Sequence, residues 1–294
     1  MLELDGIERS FGTTRALAGV SFTVERGRMT GFVGANGAGK TTAMRIILGV
    51  LDPDAGQVRL GGVPLDAARR RRFGYMPEER GLYPKMRVAE QIVYLGRLHG
   101  MPRAAAQANT GRLLARLGLE DRARDRVESL SLGNQQRAQI AAALVHEPDV
   151  LVLDEPFSGL DPIAVESVQS VLVEHAANGA CVLFSSHQLD IVERLCDDLV
   201  VIAGGVIRAS GSRQSLQAAH RGSRYELSVA GGTDWLRSAA GITVLQQGDN
   251  DVVFSAEHPD AAQRVLQDAV ARGPVARFAP QEPSLAQIFR EVIQ

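Results

Sequence analysis

The sequence predicts an α/β domain with an antiparallel β subdomain and a helical insert, followed by a small α+β domain. Three observations lead there. Short apolar runs at Met29–Val33, Val150–Leu153 and 181–184, separated by helical stretches, read as strands of a parallel sheet covered on both faces. Ahead of them, residues 2–8 and 16–25 alternate apolar and polar side chains, as half-buried strands do. After His220 the pattern runs strand, helix, strand, strand, helix, strand, which is the order of a ferredoxin-like unit.

Taken in order, Phe11 and Gly12 fall in the connection between the first two strands. The strand Met29–Val33 runs into the Gly-rich GANGAGKTT and a helix over 40–51, which stops before Asp52 and Pro53. Residues 88–118 carry Ala, Leu and Arg at helical spacing, with Pro102 restarting a helix after Gly100. They form the heart of an insert spanning about 80–135. A further helix covers 135–146, and Pro162–Ala177 is a helix that Asp161 can cap. The run Arg69 to Arg72 reads as a solvated loop or helix face. The first domain is expected over 1–213 and the second over 220–294, with strands at 225–229, 242–246, 252–255 and 275–279. Helices are expected there at 233–239, 259–272 and 284–292.

Composition narrows the function. A length of 294 residues suits two domains, and 45% hydrophobic with 22% charged residues is ordinary for a globular protein. A formal charge of -2 gives no global attraction to nucleic acid, so no nucleic-acid partner is expected. The two cysteines, Cys181 and Cys196, are too few for a disulfide framework and read as apolar fillers in a reduced compartment. The N-terminal MLELDGIERS lacks the basic start of a secretory leader, and no run approaches the roughly 18 apolar residues of a spanning helix. A cytoplasmic protein is expected, with any membrane role requiring a partner.

The chemistry begins at residues 34–42. Gly34, Gly39, Lys40 and Thr41 match G-x-x-x-x-G-K-[ST] between a strand and a helix. In such a loop, here Gly34, Ala35, Asn36, Gly37, Ala38 and Gly39, backbone N–H groups turn toward the phosphates of a nucleotide such as ATP. Lys40 neutralises phosphate charge, the Thr41 hydroxyl reaches Mg²⁺, and Thr42 supplies another donor. Asp154 and Glu155 end the apolar strand Val150–Leu153, where ligands of open α/β sheets bind. Asp154 suits Mg²⁺, and Glu155 suits the water that attacks the γ-phosphate. By itself that pair reads as a helix start as readily as a metal site. Together the two motifs indicate a P-loop NTPase.

Residues 131–137, SLGNQQR, lie just ahead of a helical run. Here the chain resembles the ATP-binding cassette ATPases, whose signature reads LSGGQ, with Leu132 and Asn134 departing from it. Taken alone the segment is a Ser-capped helix. The resemblance implies that Ser131 and Gly133 meet the γ-phosphate bound by a second subunit in a homodimer. It further implies that Asp161 of SGLDP communicates between the two sites, that His187 is a switch histidine on the γ-phosphate, and that Phe11 stacks on adenine. Taken alone, a Phe between two strands is more often a core residue. The run 74–86, GYMPEERGLYPKM, and the C-terminal EPSLAQIF from Glu282 resemble sodium-exporter and drug-exporter ATPases. Glu78 stands there where most cassettes have a Gln that approaches Mg²⁺. The expected function is therefore ATP hydrolysis coupled to a separate integral membrane transporter subunit, with the chain peripheral on the inner face of the cell membrane. A soluble cassette ATPase acting on nucleic acid or ribosomes is the alternative. A P-loop kinase leaves residues 131–137, Asp161 and His187 without a role.

Overall fold

A computed structural model of the chain describes residues 1–79, 81–219, 223–281 and 283–293. Arg80 in the run 74–86, His220 ahead of the expected tail and Glu282 at the head of EPSLAQIF lie outside the described residues. The chain divides into two compact units, Met1–Arg213 and one from Gln214 to Val292.

The first unit opens with β1 (Leu2–Phe11) and β2 (Thr14–Val24), an antiparallel pair in which Phe11 faces Thr14. Phe11 is thus the last strand residue rather than part of the connection, because the turn needs only Gly12 and Thr13. Next come β3 (Met29–Val33), α1 (Lys40–Leu48), β4 (Ala55–Leu60), β5 (Val63–Pro64), α2 (Ala67–Arg70) and β6 (Phe73–Met76). Helix α1 ends at Leu48, three residues before expectation. Gly49 at φ 70° closes it by returning its N–H to Ile46 O. The arginine run 69–72 straddles the end of α2, a helix with no buried residue.

The insert consists of α3 (Val88–Leu98) and α4 (Arg103–Arg116), separated at Gly100 and Pro102. It leads to α5 (Leu132–Leu144), β7 (Val150–Leu153) and α6 (Pro162–Ala177). Asp161 caps α6 as expected, accepting the Ala164 N–H at 2.8 Å. After it come β8 (Cys181–Ser185), α7 (Leu189–Leu195), β9 (Asp198–Ala203) and β10 (Val206–Ser212).

Two sheets result. The antiparallel one has the order β2-β1-β4-β5, and the other β10-β9-β3-β8-β7-β6, parallel except for its edge strand β10. Between them and α1 lies a core that includes Ile7, Phe22, Phe32, Met44, Val152 and Leu183. Each such side chain contributes on the order of 1.5–3 kcal/mol by leaving water. The strand order matters most for function. Because β8 lies between β3 and β7, the residues that follow these three strands converge at one edge of the sheet.

The boundary between the units falls within α8 (Arg213–Ala219), which the sequence did not signal. Then follow β11 (Arg224–Val229), β12 (Ile242–Gln247), β13 (Asp251–Ala256), α9 (Pro259–Arg272), β14 (Val275–Pro280) and α10 (Leu285–Ile293). The sheet order β12-β13-β11-β14 is antiparallel throughout, the ferredoxin-like arrangement. Helix α9 buries Ala262, Val265 and Ala269 in the same core as Leu227, Val229 and Phe254. The helix expected over 233–239 is only a 3-10 turn, Asp234–Ser238. Gly232 and Gly241 bound that segment, leaving too few residues to repay helix nucleation.

Candidate functional site

The loop after β3 is built around two tight glycine positions. A Cβ on Gly34 would lie 2.4 Å from the carbonyl oxygen of Ile202. Gly39 has φ 111°, and a Cβ there would lie 2.8 Å from Ala16 O. Gly39 is also the N-cap of α1 and offers no side-chain cap, so the first-turn N–H groups of α1 stay available to an anion. Lys40 is buried, and its ammonium donates to the carbonyls of Gly34 at 2.6 Å and Ala35 at 3.2 Å. Among the described residues no carboxylate forms an ion pair with it. A buried cation left with neutral partners favours an anionic ligand, so the loop fits the phosphates of a nucleotide.

Asp154 follows β7 directly and is 2% exposed. Its Oδ1 accepts the Ser185 hydroxyl at 2.6 Å, and its Oδ2 accepts the Thr41 hydroxyl at 3.1 Å. A carboxylate and a hydroxyl are hard oxygen donors, and Mg²⁺ commonly takes one or two protein oxygens beside substrate phosphate and water. The pair fits that ion.

Glu155 holds the left-handed φ of 53°, rare for a side chain of its size. Such strain costs on the order of 1–3 kcal/mol and persists where its surroundings enforce it. Here the enforcement is visible. The Glu155 N–H donates to Ser185 Oγ at 2.9 Å, its carbonyl accepts Gln136 Nε2 at 2.9 Å, and its Oε2 lies 2.9 Å from His187 Nδ1. Burial pushes the Glu155 carboxyl above its ordinary range, against the opposing pull of His187 and, more weakly, Lys40. The result is a carboxylate of raised basicity beside the phosphate loop, suited to take a proton from water.

These groups open on one cleft of about 490 Å³. Asn36, Gly37, Gly39, Lys40, Thr41 and Thr42 line it from the loop and α1; Glu78, Asp154, Glu155 and His187 line it from the opposite side. Gly34, Ala35 and Ala38 do not line it; they shape the loop behind it. Four other candidates lie away from the cleft. Phe11 is half-exposed, with the Arg9 guanidinium carbon 5.0 Å from its ring centre. Ser131 caps α5 by accepting the Asn134 N–H at 3.4 Å, and Asp161 caps α6. Gly133 lies where a Cβ would be 3.3 Å from Gly159 O, in the loop between Glu155 and Asp161. Leu132, the departure from the signature glycine, is 59% exposed and makes no internal clash.

Sequence reasoning missed Ser185, Gln136 and Gln139 as site residues. Gln139 donates to Pro77 O at 2.8 Å and Glu79 O at 3.2 Å, holding the segment that carries Glu78. The available signal was polarity in the wrong place: Ser185 ends an apolar strand, and both glutamines lie on the buried side of α5.

A family model described as ABC transporter matches residues 17–158. One described as the C-terminal domain of ATP-binding proteins like DrrA1-3 matches 211–293. The ABC transporter ATP-binding protein YhaQ of Bacillus subtilis (strain 168) is 36% identical over 293 residues, spanning 100% of this chain and 98% of its own. The Nod factor export ATP-binding protein I of Paraburkholderia xenovorans (strain LB400) is 39% identical over 75% of this chain and 74% of its own. A solved structure of an ATP-binding subunit of an ABC transporter superimposes with a TM-score of 0.70 at 32% identity, over 74% of this chain and 92% of that one. No described helix is long and apolar enough to cross a membrane.

Proposed function

The chain belongs to the ABC transporter ATP-binding proteins and hydrolyses ATP, and on that premise we propose how its residues divide the work. Lys40 and the N–H groups of Asn36, Gly37 and residues 39–42 hold the β and γ phosphates. Thr41 and Asp154 would hold Mg²⁺, with Glu78 lining the same cleft; the ion would supply positive charge to neutralise the phosphates. Glu155 orients the attacking water and takes its proton, while His187 fixes the Glu155 carboxylate and reaches toward the γ-phosphate. Phe11, half-exposed at the end of β1, supplies a ring face for adenine. The gathering of Lys40, Thr41, Asp154, Glu155 and His187 on one cleft carries this reading.

Ser131 and Gly133 of the same chain do not line the cleft. Two chains arranged head to tail bring the Ser131 helix end of each to the nucleotide of the other, excluding water from both sites. Asp161, beside that helix end, carries the state of one site to the other. The insert formed by α3 and α4 contacts a separate membrane subunit, which holds the chain on the inner face of the membrane. Export is the direction favoured by the name of the Nod factor relative, and the second unit, from Gln214 on, is an accessory domain.

The test is Glu155→Gln. Its ATP affinity should equal that of the unaltered chain, while turnover falls roughly 100-fold or more. Near-normal hydrolysis would remove Glu155 from the mechanism.

A further inference from the structure

Glu155 is gripped at its backbone as well as at its carboxylate, and one of those grips comes from a distant part of the chain. Gln136 is 7% exposed and belongs to α5, the helix capped by Ser131. Its Nε2–H donates at 2.9 Å to the carbonyl oxygen of Glu155, which also accepts the Ser158 N–H at 3.2 Å. On the other side of the same residue, the N–H is held by Ser185 Oγ at 2.9 Å. A residue at φ 53° has no intrinsic preference for that conformation, so the direction of its side chain depends on these backbone partners. Ser185 stands on β8 and is fixed by the sheet. Gln136 stands on a helix whose first turn reaches the surface.

We infer that Gln136 is a positioning residue for Glu155: it sets the Glu155 carboxylate for catalysis and makes that setting depend on the position of the helix end at Ser131. Gln136 lies five positions after Ser131, about 7.5 Å along a rigid helix. A displacement of the Ser131 end is therefore delivered to the Glu155 carbonyl with little loss. Gly133, packed close to Gly159 O, ties the same first turn to the loop that follows Glu155. The inference rests on the proposed role of Glu155. It adds that an anion meeting Ser131 from outside the chain aligns the general base of the chain that owns Ser131, which couples the two sites of a dimer through α5.

The experiment uses the full chain with ATP and Mg²⁺. Gln136→Met keeps the side-chain length and removes the donor. Its kcat should fall roughly 10- to 100-fold, the scale of a misplaced reacting group, with KM for ATP, equilibrium ATP binding and melting temperature unchanged. In a Glu155→Gln background, where ATP is not consumed, adding Gln136→Met should leave ATP-driven dimerisation by sedimentation as it was. If kcat is unaltered, or if dimerisation is lost together with kcat, Gln136 does not act through Glu155 and the inference is overturned. Should Gln136→Met lower the melting temperature, Gln136→Glu takes its place: it keeps size and polarity, loses the donor, and should give the same split. Glu155→Gln alone separates the two levels. Normal hydrolysis there overturns the role of Glu155, whereas an inactive Glu155→Gln beside a fully active Gln136→Met overturns only the inference.

Discussion

The N-termini of α1 and α5 are both anion-binding helix ends by physics, yet they are finished in opposite ways. Helix α1 begins after Gly39, which offers no side chain, and its first turn opens on the cleft beside Lys40. Helix α5 begins after Ser131, whose hydroxyl accepts its own Asn134 N–H, and this N-terminal end is exposed and does not line that cleft. An uncapped end leaves its N–H groups to a ligand, whereas a capped end meets its own needs and adds a dipole to whatever arrives. The first therefore lines the binding site of this chain, and in the proposed dimer the second serves a neighbour.

The comparison breaks most sharply under Ser131→Arg. Monomer ATP binding at low protein concentration should stay nearly unchanged, while ATP-driven dimerisation and hydrolysis are abolished. Lys40→Ala should do the reverse at the other end, weakening ATP binding by a single chain because the buried cation on the phosphates is gone. Equilibrium binding paired with sedimentation in ATP reads both. Equal loss of monomer binding in the two variants would mean that both ends serve the same nucleotide.

A smaller effect sharpens the view of α5 from its other end. His146, just past its last turn, is stacked on His99 with ring centres 3.6 Å apart, and its Nε2–H donates to Phe73 O at 3.0 Å. Burial, with His99 and His175 nearby, holds its pKa down to about 4 from 6.5. The unfolded chain takes this proton near pH 6.5 and the folded chain only near pH 4. Stability from this residue is thus full above 6.5 and is lost as pH falls to about 4, by about 3 kcal/mol in all. Denaturant midpoints across that window should show this slope, and His146→Gln should flatten it. Parallel curves for the two proteins would refute the assignment.

The smallest effect belongs to the α1 side. Glu78 lines the cleft with a carboxylate where an amide is usual among cassettes. Glu78→Gln should leave turnover largely intact and alter its Mg²⁺ dependence; identical Mg²⁺ titrations would show that Glu78 is no ligand.

Legibility in the sequence followed the range of the physical constraint. Residues 34–42 were readable because phosphate binding demands glycine, lysine and hydroxyl types at fixed spacing within one loop. Asp161 was readable as a cap because its acceptor role is local, three residues from Ala164. The end of α1 was misplaced by three residues, since apolar periodicity continues through Val50 and Leu51 while Gly49 closes the helix. The turn Asp234–Ser238 was read as a helix because its composition is helical and only its confinement is not.

By itself the sequence determined the two opening strands, the run from β3 through the phosphate loop to α1, the acidic pair at the end of β7 and the four strands of the second unit, all of which depend on residue type over short spans. Tertiary structure alone decided that β8 lies between β3 and β7, and with that it decided the site. Ser185 reaches Asp154 across 31 residues, and Gln136 reaches Glu155 across 19. Neither contact has a local signature, because a hydrogen bond between elements depends on how strands order and helices pack. The same packing holds Glu155 at φ 53°, a conformation that its own side chain disfavours and its neighbours impose.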